Sequence, residues 1–462
     1  MRRNGSRIAQ RNGTGSRRSP PAAHALWLAT ALAAGTPALA QDSGTQGTGA
    51  QDTGAQDTGE PARRGALDFT LGIGVVPLSI TFPDIQLEPI GGVATTLDGE
   101  TDGLGVALSA SREIGALGGV PLFGEVTAAI VDADSTVSSF RPLSGTGPFA
   151  FALGSSAGDT ITLGTSTAGG ATATATATVT DPAGGTASTS QTTTSPPGDN
   201  LTRNFAQSRT SGAGVAATNV ASNGAPVSAT AVGFVADTGG FTLNATGDLS
   251  ALAVAATAVQ EIDYAEVEAR LVGAVPLGTS GWVATPSVAP AYRYLNRLVD
   301  ARASVLLPVD PVANARAAVS LLTSDDLTAH YAGGSVGIGA VGQVPGGLIM
   351  SLGVDAGLLG LFADYDGASA IELAGIGTTT FGLGAVAEEL DELAHFVRGS
   401  VGVTRQFGGF GMSFGGQVEY LSDVPTVLRG PGGTSAGGIG TARLGTDDAL
   451  IVSGSFSVSL SF

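Results

Sequence analysis

The last thirteen residues, Leu450 to Phe462, alternate in polarity. Leu450, Val452, Phe456, Val458, Leu460 and Phe462 share one parity, interrupted only by Gly454, while Ser453, Ser455, Ser457, Ser459 and Ser461 hold the other. Successive side chains of a strand point to opposite faces, so the segment has one apolar face and one hydroxyl face. Chain ends ordinarily fray. A terminal strand this apolar on one side needs lipid or a core against it.

An amphipathic final strand ending in Phe resembles the closing strand of Gram-negative outer-membrane β-barrels. The resemblance implies that Phe462 is part of an assembly signal read by the barrel-assembly machinery, and that outer-membrane lipid and lipopolysaccharide surround the protein. It also implies an export signal upstream and alternating segments of about ten residues in between.

The start of the chain fits an export signal. Residues 1 to 21 carry six arginines and no acid, an apolar run follows from Ala22 to about Gly35, and Ala38-Leu39-Ala40 forms a small-x-small site. Residues 1–40 are therefore read as a secretory signal peptide, because the apolar run is too short to span a bilayer. Arg17-Arg18 is not taken as a twin-arginine signal, since that route carries folded cargo. Residues 41–65, with Gln51-Asp52-Thr53-Gly54-Ala55 nearly repeated at 56–60, have nothing to bury and read as a disordered periplasmic tether.

Removing the signal's six arginines leaves 15 of the 21 basic residues against 39 acidic ones, about −24. That balance argues against nucleic acid as a partner. There is no Cys and no Lys, and after cleavage the only histidines are His330 and His395, so thiol chemistry is excluded and bases are scarce. Outside the signal no apolar run of 18 residues occurs; Gly347 to Phe362 contains Asp355 and alternates as a strand does.

Strand patterns recur from Leu67 onward. They are sharpest around 67–75, 104–113, 122–130, 267–275, 282–294, 336–340, 348–358, 397–406, 410–420 and 450–462. Pro286 and Pro290 predict a bulge or weak pairing in the fifth. Short connections near 115–119, 278–281, 344–346 and 407–409 alternate strictly with long ones near 78–100, 134–262, 297–327, 363–393 and 423–447. Outer-membrane barrels alternate short periplasmic turns with long external loops in this way. The expected fold is all-β: an antiparallel transmembrane barrel over 66–462 with ten strands, or twelve if a hairpin at 212–236 joins it. Residues 134–262, with an Ala-Thr repeat at 171–178, read as a low-complexity external insertion. Short helices are expected at 250–259, 312–322 and 385–393.

Several motifs are compositional. Gly337-Ile338-Gly339-Ala340-Val341-Gly342 matches a dinucleotide fingerprint but lies within a strand and runs into a Pro-Gly turn. The nucleophile-elbow pattern recurs around Ser156, Ser413 and Ser435 without the strand-to-helix context it needs. Parity puts His330 and His395 on the lipid side at the external rim, so no enzyme is expected. Asp98, Glu100, Asp102, Asp364 and Asp366 read as solvated loop charge, with no EF-hand spacing for a divalent ion. No cofactor or metal site is expected.

Lumen parity selects Asp68, Glu113, Glu125, Glu266, Glu268, Asp355 and Glu419 with Arg270, Arg293 and Arg398, a balance of about −4, among Gly, Ser, Ala and Thr. A polar lining suits a water-filled path. The leading expectation is a porin-like passive channel for small hydrophilic solutes. The strand-and-turn rhythm of 263–422 also resembles the Legionella-type pore-forming major outer-membrane proteins. The alternative is a surface adhesion or display protein whose barrel anchors the insertion. An autotransporter fits less well, because only a short tether precedes the first strand. Oligomeric state stays open.

Overall fold

The computed structural model describes residues 69–462 apart from short internal segments, the longest being 195–201 and 430–441. The signal peptide and tether read from the sequence lie outside the described residues. Ten long strands form the barrel: β1 (Phe69–Thr81), β2 (Glu100–Leu117), β3 (Val120–Pro142), β4 (Ala253–Gly273), β5 (Trp282–Asp310), β6 (Ala315–Val344), β7 (Leu348–Ala374), β8 (Thr379–Phe407), β9 (Phe410–Arg429) and β10 (Ala442–Ser461). Each pairs antiparallel with its sequence neighbour, and β10 pairs back on β1, with Leu71 opposite Leu460 and Val75 opposite Phe456. That last pairing closes the ring and removes the edges an open sheet would expose.

The short turns fall where the sequence puts them. Gly346 and Gly347 at φ +93° and +73°, and Gly408 at +70°, take the left-handed backbone that tight hairpins need. Leu71, Ile73, Val336, Ile338, Leu352, Val354, Val401, Phe414, Val452 and Phe456 stand exposed on the outside of the ring, as a lipid-facing wall requires.

The opposite ends differ from the expectation. The described residues of 297–327 and 363–393 are strand, not loop. Strands β5 to β8 run 29, 30, 27 and 29 residues, whereas about ten suffice to span a bilayer. The expected helix at 385–393 is strand, with Glu389 opposite Asp364, and residues 315–322 are strand, with Ser320 opposite Ser304. Residues 311–314 lie outside the described residues. At 250–259 only a 3-10 turn, Leu249–Ala251, precedes strand β4. Cross-strand pairing overrides the local helical look of these Ala- and Glu-rich runs. Pro286 and Pro290 keep register with Ile338 and Gly334; the shift in that pair of strands falls between Leu306 and Val309.

The insertion departs from the barrel at Pro142 and returns at Ala253, which are register partners, so it spans 143–252 rather than 134–262. Most of its described residues are sheet. A five-stranded sheet runs 202–209, 214–222, 228–237, 240–247, 149–154, and a three-stranded sheet runs 160–168, 172–180, 186–194. The hairpin near 212–236 belongs to the first sheet, and the ring therefore has ten strands. Ala173, Ala175, Ala177 and Val179 bury the alanine face of the Ala-Thr repeat against Ala216, Val220, Ala231 and Val235. The other face of the five-stranded sheet, with Phe151, Val232, Phe234 and Leu243, packs on Val254, Val299, Val305, Leu307, Val319 and Leu321 of the barrel strands.

Candidate functional site

The candidate site is the barrel interior, and its side chains come in layers set by strand parity. Even positions of β4 and odd positions of β5, β6 and β7 point inward. Above the turns, Ser351, Ser400, Thr404, Ser413, Gln417, Ser453 and Ser455 line a cavity of about 480 Å³, which reaches up to Glu125, Glu266, Glu268, Arg270, Asp355, Arg398 and Glu419.

These charged residues do not form independent rings. Arg398 reaches Glu268 at 2.6 Å, Glu266 at 2.9 Å and Asp355 at 3.5 Å. Arg270 pairs with Glu268 at 2.9 Å and Asp355 at 3.3 Å. Arg293 on β5 bonds Glu419 on β9 through both terminal nitrogens. Those strands are not neighbours, so the pair crosses the lumen. Tyr264 donates to Glu266 at 3.0 Å, and Ser335 to Glu268 at 3.4 Å. Arg293 is 0% exposed and Glu419 1%. Desolvated charges are tolerated only when paired in this way.

Of the ten lumen candidates, eight meet here. Glu125 is the register partner of Arg270. Glu113 is exposed near the β2–β3 turn and joins no ion pair among the described residues, and Asp68 lies outside them. The cluster holds five acids and three arginines, a balance of −2 rather than −4.

Above the ions the interior carries an apolar layer, with Gln260 and Arg297 buried beside it. Leu78, Ile80, Val131, Ile262, Leu295, Tyr331, Leu361, Phe396, Leu421 and Ile451 form one buried layer drawn from nine of the ten strands. Phe396 joins the two layers, with the Arg293 guanidinium 4.2 Å above its ring. Sequence parity could place these residues inward. It carried no signal for the layer itself, because the stretches holding Leu295, Leu361 and Leu421 were read at strand ends.

Both histidines face outward at the rim. Tyr292 Oη lies 2.8 Å from His330 Nδ1, and the Tyr294 ring centre is 5.3 Å from that of His330; His395 stacks near Tyr420. Aromatic groups at this level suit the headgroup boundary. The sequence reading missed one contact: Ser422 Oγ lies 2.8 Å from His395 Nδ1. Ser422 sits in the register shift between Leu421 and Val424, beside Asp423 at φ +57°. It is 3% exposed, and Asp423 accepts from Ser422 rather than orienting the imidazole, so the order of a hydrolytic triad is missing. No group of three or more metal-ligating side chains occurs among the described residues. Asp364 and Asp366 lie on exposed strand positions, not in a loop.

The fold is an antiparallel transmembrane β-barrel. Solved structures that match are barrels of Gram-negative outer membranes. The outer-membrane protease OmpT of Escherichia coli matches 86% of this chain and 97% of its own at 8% identity and a TM-score of 0.26. The toluene transporter TodX of P. putida matches 86% and 90% at 8% identity and 0.18. The transport unit of the E. coli autotransporter AIDA-I matches 87% and 93% at 8% identity and 0.18. No family model matches, and no curated protein matches the sequence. Likeness this distant carries no argument of its own, and the fold rests on the strand pairing described above.

Proposed function

We propose that this barrel is a sealed outer-membrane anchor that displays the 143–252 module at the cell surface. The carrying observation is the double closure of the lumen, by the Arg293–Glu419 pair with its ionic neighbours and by the apolar layer over it. A small barrel filled by its own side chains is a rigid wall rather than a conduit. The module's broad apolar contact with the strand extensions supports a fixed mount. On this reading residues 1–40 direct export. Phe462, 71% exposed at the rim, is read by the assembly machinery, and lipid and lipopolysaccharide contact the outer wall.

An epitope inserted beside Gly184, in an exposed turn at φ +85°, should bind antibody on intact cells. Binding only after outer-membrane rupture would overturn the topology. Phe462→Ser should leave export unchanged and lower the yield of heat-modifiable, folded barrel; an unchanged yield would remove Phe462 from the assembly step.

The polar cavity on the turn side favours one other reading, the porin-like passive channel. Conduction would require the ion-pair layer to rearrange. With five acids against three bases, a current through it should be mildly cation-selective and lose that preference at high salt. An anion-selective reversal potential would dismiss this second reading.

A further inference from the structure

The three-stranded sheet of the insertion has an unusual surface. Between Thr160 and Thr194 the only ionisable residue is Asp181, which is buried and accepts from the Gly185 amide at 2.7 Å. On a chain with 39 acidic and 21 basic residues, this sheet presents no charge. Its inner face is the alanine row already described. Its outer face is a hydroxyl ladder: Thr172 to Thr194 at 3.1 Å, Thr174 to Thr192 at 3.0 Å, Thr178 to Ser188 at 2.9 Å, Thr180 to Thr186 at 3.2 Å.

The strand Thr186–Thr194 pairs on one side only among the described residues. An edge strand invites pairing with another chain, and natural proteins block it with charge, Pro, bulges or cover. This edge reads Thr-Ala-Ser-Thr-Ser-Gln-Thr-Thr-Thr, with no charge, Pro or Gly, and holds nine paired residues without a register shift. The stacked edge strand of the other sheet, 202–209, carries Arg203 and Arg209. The far edge of the same sheet, 160–168, is interrupted by Gly164, which weakens pairing.

We infer that Thr186–Thr194 is a homotypic docking edge, at which a second copy of this chain adds its own Thr186–Thr194 antiparallel and extends the sheet from three strands to six. Three features select a second copy as the occupant. The strand is self-complementary under a two-fold axis: centred on Ser190, Ser188 meets Thr192 of the other copy and Thr186 meets Thr194, so the Ser/Thr pairing of the existing ladder repeats. Ser190, opposite Thr176, is the outer hydroxyl of this strand that the ladder leaves out, since Thr176 turns to the Gly164 carbonyl; at the axis the two Ser190 hydroxyls meet. And where identical acidic chains approach, like charges oppose contact, which leaves a neutral edge as the favourable meeting point. The inference does not depend on the display reading, because docking is a property of the folded chain in detergent as well as in the membrane.

The chain has no cysteine, so Ser190→Cys is a clean probe in the full-length protein. Directly opposed strand residues bring their Cβ atoms to about 4.5–5.5 Å, within disulfide reach. Mild oxidation of folded, heat-modifiable Ser190→Cys protein should give a covalent dimer at least about tenfold more abundant than Ser166→Cys on the far edge. Adding Ser188→Lys and Thr192→Lys should abolish the cross-link, because the two-fold sets lysine against lysine. Replacing the second of these with Thr192→Glu should restore it. Absence of dimer from folded Ser190→Cys protein, equal cross-linking at position 166, or persistence in the double-lysine background would overturn the proposal. A cross-link to a different polypeptide would overturn the second copy as occupant.

Discussion

Strands β6 and β7 each contain two proteins' worth of surface chemistry, one inverted relative to the other. In the half nearer the turns, the inward row of β6 is Ser335, Gly337 and Gly339, and the outward row is Val336, Ile338 and Ala340; β7 repeats this with Asp355 inside and Leu352, Val354 and Leu358 outside. In the outer half the signs reverse. Val319, Leu321, Leu327 and Ala329 of β6 and Leu361, Tyr365 and Ile371 of β7 are buried, while Ser324, Asp326, Asp364 and Asp366 face out. The lesson is that backbone pairing is continuous and only the surrounding solvent changes. Lipid demands apolar side chains outside; water demands them inside. The crossover, near the His330 and Phe362 level, marks one edge of the lipid-facing belt.

The largest expected effect lies where the two halves meet. Arg293→Leu strips buried Glu419 of its two-nitrogen partner and leaves only Arg398, at 3.9 Å, which should cost about 3–5 kcal/mol, whereas Arg293→Leu with Glu419→Leu should recover most of the loss. Urea unfolding in detergent or lipid measures both; equal stability of the single and double variants would show that the pair is not a sealed ion contact.

Next come substitutions that test the inversion directly. Ile338→Arg, on the lipid face of β6, should cost roughly 2–4 kcal/mol. Leu321→Ala, in the buried row of the outer half, should cost a similar ~2–5 kcal/mol by leaving a cavity. Ser324→Arg is on the same outward face as Ile338 but beyond the crossover, and should change stability by only about 0.5 kcal/mol. Comparable losses from Ile338→Arg and Ser324→Arg would erase the proposed boundary.

Deleting 143–252 and joining Pro142 to Ala253 sharpens the comparison further. The ring pairing should survive, since those residues are already register partners. The outer half should then expose Val254, Val299, Val305 and Leu307, so the variant should insert but self-associate. Loss of insertion would mean that the module is needed to build the barrel.

The inversion also explains what was legible. The lipid-facing half announced itself because apolar residues alternate with Gly and Ser, and glycines such as Gly346 and Gly408 punctuate the turns. The outer half hid because its apolar parity flips, so Leu321 or Leu361 breaks the pattern being followed, and runs such as Glu388 to Glu392 look helical. The Ala-Thr repeat lacked a large apolar face to announce a core; its alanines need a partner sheet that sequence alone does not supply. Parity placed Glu266, Glu268, Arg270, Arg293, Arg398 and Glu419 on inward rows but not across from one another. Arg293 finds Glu419 across the lumen, and charges read as a polar lining turn out to be paired.

Planar-bilayer conductance tests the sealed lumen most directly. Folded wild-type protein, inserted at low and at high salt, should add no steady ohmic step above the bare bilayer, with or without Glu266→Gln and Glu268→Gln. Reproducible unitary steps from the unmodified protein would contradict the sealed barrel and return the account to a conducting channel.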